Sequence, residues 1–253
     1  MTDAAGDIIL ECRGVGKNYG GLKAVSGVNI AARRGEILGI IGPNGAGKTT
    51  LFNIISGHTP ASAGTIEFNG MDVTRKPAHT RARLGMGRTF QIVRPIPSLS
   101  VLENVMVGAF HAYPSREGAA QQALRVLERV ELVDKAASKA GDLTLAGRKR
   151  LEIARALAGD TQLLLLDEVM AGLNPTEANL AISMIHRLSA SGVSVILIEH
   201  NLKVVNELAK HVVVLDHGAE ISQGRPSEVL ADPAVITAYL GNRRAPKTQG
   251  VSA

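Results

Sequence analysis

The sequence predicts an α/β protein with a parallel-sheet core made from the two ends of the chain, an N-terminal antiparallel β-subdomain, and an inserted α-helical subdomain. Three observations predict it. Apolar runs at Ile8 to Cys12, Ile37 to Ile41, Leu163 to Leu166, Val193 to Ile198 and Val212 to Leu215 have the length and Ile/Val/Leu content of strands. In the runs from Leu38, Leu163 and Val193 the apolar residues are consecutive, not alternating, as burial on both faces of a parallel sheet requires. Between Gln91 and Asp160 the period changes: Ala123, Leu124, Val126, Leu127, Val130, Leu132 and Val133 recur at helical spacing.

Along the chain, Ile8 to Phe68 adds an antiparallel sheet, with Gly20-Gly21 and Ala63-Gly64 as turn signals. The core is expected over 1–90 and 161–242 and the helical subdomain over about 91–160, together one domain, with 243–253 a mobile basic tail carrying Arg243, Arg244 and Lys247. The 253 residues suffice for one large α/β core. No apolar stretch approaches the roughly 18 residues of a membrane helix, and the start, MTDAAGDIILECRG, lacks a signal-peptide pattern, so a cytoplasmic protein is expected. Cys12 is the single cysteine and reads as a buried strand residue. A net charge of +5 suits anionic partners, whereas 3% aromatic residues and no Trp argue against stacking on single-stranded nucleic acid.

The chemistry begins at Gly42-Pro43-Asn44-Gly45-Ala46-Gly47-Lys48-Thr49, which fits G-x-x-x-x-G-K-[ST] after the strand Ile37 to Ile41 and before an apolar helix. Glycines let successive N–H groups turn inward while the helix start adds its positive end, a cradle for phosphate. Lys48 supplies a cation for the β and γ phosphates, Thr49 a hydroxyl for Mg²⁺, and Thr50 a secondary phosphate contact. The pattern arises by chance in about one chain in a hundred of this length, and kinases, GTPases and motor ATPases share it.

Leu163 to Leu166 run into Asp167 and Glu168, carboxylates that belong beside the phosphate loop at the carboxyl edge of the sheet. Adjacent strand side chains diverge, so Asp167 can hold Mg²⁺ through water while Glu168 polarises the water that attacks the γ phosphate. His200, after a third buried strand, brings an imidazole to the same edge.

In this order the motifs resemble the ABC transporter nucleotide-binding domain over essentially the whole chain, which implies a P-loop (RecA-like) ATPase core that binds ATP and Mg²⁺. The resemblance puts Tyr19 on adenine and Gln91, in Arg88-Thr89-Phe90-Gln91, at the Mg²⁺ and the attacking water. GRTFQ, RLEIARAL, AGLNPTE, LIEHNL and AYLG resemble the ATPase subunits of branched-chain amino-acid importers. Such importers imply a second ATPase subunit, two membrane permease subunits and an external solute-binding protein as partners, with this chain at the cytoplasmic face of the inner membrane and no nucleic-acid partner.

The signature segment, usually L-S-G-G-Q in this family, departs from the pattern as Leu143-Thr144-Leu145-Ala146-Gly147. Leu145 and Ala146 replace glycines that let backbone N–H groups approach the partner subunit's γ phosphate. Val169 stands where proline is usual after the catalytic glutamate, and Asn174 where an aspartate is common. Intact Glu168 and His200 beside this segment imply an asymmetric heterodimer. The alternatives are a soluble ABC-type ATPase acting on nucleic acid or ribosomes, a regulatory subunit with a degenerate signature, and a phosphate-loop kinase or GTPase, although no Asn-Lys-x-Asp run is present.

Overall fold

A computed structural model describes residues 8–90 and 95–240. Strands β1 (Ile8–Tyr19) and β2 (Leu22–Arg33) pair antiparallel across Gly20-Gly21, where Tyr19 faces Leu22. With β4 (Ala63–Phe68) and β5 (Met71–Asp72) they form a four-stranded sheet in the order β2-β1-β4-β5. The first strand runs past the apolar stretch ending at Cys12, since irregularities in its ladders keep it paired with both neighbours. Ala63-Gly64, expected as a turn, opens β4, with Ala63 paired to Gly16. Pairing with a neighbouring strand overrides the local turn preference.

The second sheet contains β3 (Ile37–Ile41), β6 (Met86–Arg88), β7 (Leu163–Asp167), β8 (Ser194–Ile198), β9 (His211–Asp216) and β10 (Ala219–Gly224) in the order β10-β9-β3-β8-β7-β6. All its ladders are parallel except that between β9 and β10. Every residue of β3, β7 and β8 is buried. Their side chains divide by alternation: Leu164, Leu166, Val195 and Leu197 join one apolar cluster, while Leu163, Leu165, Ile196 and Ile198 join the other. The consecutive apolar runs therefore serve two cores at once.

The first cluster lies against the helices α3 (Val101–Ala109), α4 (Arg116–Arg129), α5 (Leu145–Leu157) and α6 (Pro175–Ala190). The first three lie between β6 and β7 in the chain and pack on one another. Ser100 and Glu103 form a capping box at the start of α3, and Ser115 caps α4. Helix α4 buries Ala123, Val126 and Leu127 but ends before Glu131, whose φ is 58°; Leu124 and Val133, expected on the same apolar face, are exposed.

The second cluster lies between the sheets and around α1 (Lys48–Ile55). Arg81, on α2 (Ala78–Arg83), is 1% exposed and donates to the carbonyls of Ile54 and Ile55 at the end of α1, and to those of Thr74 and Lys76. It caps α1 without a carboxylate among these partners. The remaining α-helices among the described residues are α7 (Leu202–Leu208), α8 (Pro226–Val229) and α9 (Pro233–Leu240).

Candidate nucleotide site

The parallel sheet brings the ends of β3, β8 and β7 side by side, and the residues after them form one edge. After β3, Gly42 has φ 147° and Gly47 φ 97°. A Cβ on Gly42 would lie 2.1 Å from the Leu215 carbonyl oxygen, and one on Gly47 would lie 2.4 Å from that of Ala24, so both positions exclude any side chain. Gly47 is the N-cap of α1 and offers no side-chain acceptor, which leaves the first N–H groups of the helix for an anion. Lys48, 6% exposed, donates from Nζ to the carbonyls of Gly42 at 2.8 Å and Pro43 at 2.9 Å. Burial lowers the Lys48 ammonium from its ordinary pKa, and the carboxylates of Glu168 and Asp167 oppose that shift.

The two carboxylates at the end of β7 go separate ways. Asp167, 4% exposed, faces Arg88, whose Nη2 lies 3.5 Å from Oδ2, while its own N–H donates to Thr89 Oγ1 at 3.3 Å. Burial raises the Asp167 carboxyl above its ordinary value, with the Arg88 guanidinium the main opposing influence. Glu168 has φ 50°, and its Oε1 lies 2.6 Å from His200 Nε2, which donates when the carboxyl is ionised. Its carbonyl accepts from Lys149 Nζ at 3.1 Å. Beside His200, Glu199 is 4% exposed; its Oε1 accepts from the Met170 N–H at 3.0 Å, and burial raises its carboxyl.

A cleft of about 570 Å³ is lined by Tyr19, the loop and helix start from Asn44 to Thr50, Glu168 and His200. Tyr19 is half exposed at its rim, with Lys17 Nζ 5.1 Å from the ring centroid. Pro43 lines a neighbouring cleft instead, and Asp167 is buried behind Arg88. Leu143, Thr144, Ala146 and Gly147 line a separate surface cavity; Thr144 caps α5 by accepting from the Gly147 N–H at 3.2 Å, and Leu145 is 47% exposed. Val169 is buried, and Asn174 caps α6 by accepting from the Glu177 N–H at 3.0 Å, a task an aspartate performs equally. Gln91 lies outside the described residues.

Sequence reasoning missed Arg88, Glu199 and Tyr239. The Arg88 side chain donates to Asn53 Oδ1 at 2.8 Å and Ser56 Oγ at 2.7 Å, and its guanidinium lies over the rings of Phe52 and Phe90. Its place three residues before Gln91 was a signal, as was that of Glu199 immediately before His200. Tyr239, in α9, accepts a 2.8 Å bond from the Gly42 N–H; only its place in AYLG hinted at a role.

Two family models match the chain: "ABC transporter" over residues 25–171 and "Branched-chain amino acid ATP-binding cassette transporter" over 220–245. The chain is 39% identical to the high-affinity branched-chain amino acid transport ATP-binding protein BraF of Pseudomonas aeruginosa, with 92% of this chain and 98% of BraF covered. It is 38% identical to the probable branched-chain amino acid transport ATP-binding protein LivG of Archaeoglobus fulgidus, with 92% and 95% covered. The crystal structure of the ADP conformation of an ATP-binding cassette of an ABC transporter superposes with a TM-score of 0.85 at 33% identity, over 92% of this chain and 99% of that one.

Proposed function

Because the chain belongs to the ABC transporter family of ATP-binding cassettes, we propose that it is the ATP-hydrolysing subunit of an importer for branched-chain amino acids. The observation that carries the hydrolytic reading is the 2.6 Å contact between Glu168 and His200 at the wall of a cleft whose other side is the glycine loop. In this reading Tyr19 stacks on adenine, and the loop Gly42 to Gly47, through backbone N–H groups beyond Pro43, receives the phosphates with Lys48. Thr50 is a secondary phosphate contact. Thr49 and Asp167 offer the oxygen donors that magnesium takes, and Gln91 joins them at the attacking water. Among the described residues no cluster of three or more His, Cys, Asp or Glu side chains forms. A hydroxyl, one carboxylate and the substrate's own phosphates need no such cluster. Magnesium, when bound, neutralises charge on the β and γ phosphates.

Glu168 orients a water and takes its proton as the water oxygen bonds to the γ phosphorus and the bond to the ADP oxygen breaks. His200 holds the Glu168 carboxylate through Nε2 and contacts the γ phosphate. Reopening after hydrolysis moves the membrane subunits through the helical subdomain. Two permease subunits hold the chain at the cytoplasmic face of the inner membrane, and an external solute-binding protein delivers the cargo. No helix among the described residues is long and apolar enough to cross a membrane.

The reading includes a heterodimer. The start of α5 presents Leu145 and Ala146 where close backbone approach needs glycine, so this chain's signature closes a partner's site weakly, while a partner with an ordinary signature closes this chain's site. Mixed complexes carrying Glu168→Gln in this chain, or the matching change in the partner, test it. The expected result is a large loss of ATPase activity from the first and a small loss from the second. Equal losses sink the heterodimer, and normal activity in a Lys48→Ala chain sinks the nucleotide site itself.

A further inference from the structure

The segment matched by the branched-chain model, residues 220–245, lies outside the core match and contains α9, yet α9 touches the phosphate loop. The helix is fixed at its start by Asp232, whose Oδ1 accepts from the Ala234 N–H at 2.8 Å, and by Val235, which is 2% exposed. A cleft of about 640 Å³ lies between the loop residues Pro43 to Ala46 and the α9 residues Pro233 and Thr237. Tyr239 reaches the loop at its root, where its hydroxyl accepts from the buried Gly42 N–H at 2.8 Å.

We propose that Tyr239 is a positioning residue of the nucleotide site, which makes the C-terminal helix a working part of the phosphate loop; this rests on the nucleotide-binding reading above. Gly42 is the hinge of that loop. Its φ of 147° and the Leu215 carbonyl against its Cα admit only glycine, and glycine is the residue with the most freedom to rotate away. The peptide groups on its two sides are held by different partners: the N–H by Tyr239 and the carbonyl by Lys48 Nζ. That Lys48 ammonium is also the group that must meet the phosphates. Without Tyr239 the root of the loop is held mainly by the lysine, and the loop settles around the ammonium, away from the geometry that receives an anion. Binding then carries the penalty of a partly populated competent state.

Tyr239→Phe keeps the ring and removes only the acceptor. In the full chain it is expected to raise the Kd for MgATP by about five- to tenfold, the scale of one buried unsatisfied N–H. The rise in unfolding temperature produced by a fixed concentration of MgATP should shrink accordingly. In the assembled transporter KM for ATP should rise while kcat at saturating ATP changes less than about twofold. Tyr239→Ala removes the ring as well, so it should add a fall in the nucleotide-free unfolding temperature. A Phe variant with wild-type Kd and wild-type MgATP stabilisation, whatever its nucleotide-free unfolding temperature, overturns the proposal and leaves Tyr239 a packing residue. A wild-type chain that binds no MgATP overturns the nucleotide reading and the proposal with it.

Discussion

Arg88→Met tests the least exposed ion pair described at the candidate site. The wild-type pair sets Arg88 Nη2 3.5 Å from Asp167 Oδ2, with side chains 7% and 4% exposed. At that separation and an effective dielectric of 20 the attraction is about 5 kcal/mol, and removing one partner of a buried pair typically destabilises by about 3–5 kcal/mol. Bonds to Asn53 and Ser56 are lost as well, while the methionine keeps apolar contact with Phe52 and Phe90, so about 3 kcal/mol or more is expected. Urea unfolding of the full chain measures it. Asp167→Asn alone strands the guanidinium, whereas the double variant strands no charge, so the two losses should overlap by about 1.5–3 kcal/mol. The pH dependence has a definite sign. Without Arg88 the Asp167 carboxyl rises further above its unfolded value, so the variant's deficit is full near neutral pH and shrinks as pH falls through the raised folded value. Additive losses, with a coupling below about 0.5 kcal/mol, would refute the claim that the pair acts as one unit.

Gly47→Ala places a Cβ 2.4 Å from the Ala24 carbonyl oxygen at a φ of 97°; strain of this kind predicts at least tenfold weaker ATP binding, roughly, by fluorescence titration, and a Kd within twofold of wild type would contradict the loop geometry. Glu199→Gln keeps an acceptor for the Met170 N–H and removes a buried charge. Since burial raises the folded carboxyl, the wild-type penalty exists at neutral pH and disappears below the unfolded value. Thermal unfolding should therefore show the variant about 1 kcal/mol more stable near neutrality, with the gain vanishing on acidification. A variant that is less stable across the whole range would reject that reading.

The parts of the fold that could be read ahead were those where one residue type repeats for one reason. β3, β7 and β8 must be apolar on both faces, and that leaves runs of Ile, Val and Leu interrupted only by Gly39 in β3, Asp167 at the end of β7 and Ser194 at the start of β8. The loop from Gly42 to Lys48 was equally readable, because a pattern tied to backbone curvature tolerates few substitutes. The far half of β1 was not, since Lys17 and Asn18 lie in an irregular ladder that only the neighbouring strands define. Arg88 and Tyr239 were opaque for another reason. Each is a single polar residue whose meaning depends on a partner 79 or 197 positions away, and local periodicity carries no trace of such a bond.

The buried Arg81 changes how α1 should be regarded. Eight residues are too few to hold a helix by propensity alone, and in the proposed reading this one faces a polyanion at its first turn. A guanidinium fixed on the carbonyls at its last turn makes the helix a poled element, with fixed positive charge at one end and room for negative charge at the other. In the proposed reading, affinity for phosphate at Lys48 is then set partly from the opposite end of the rod, by Arg81.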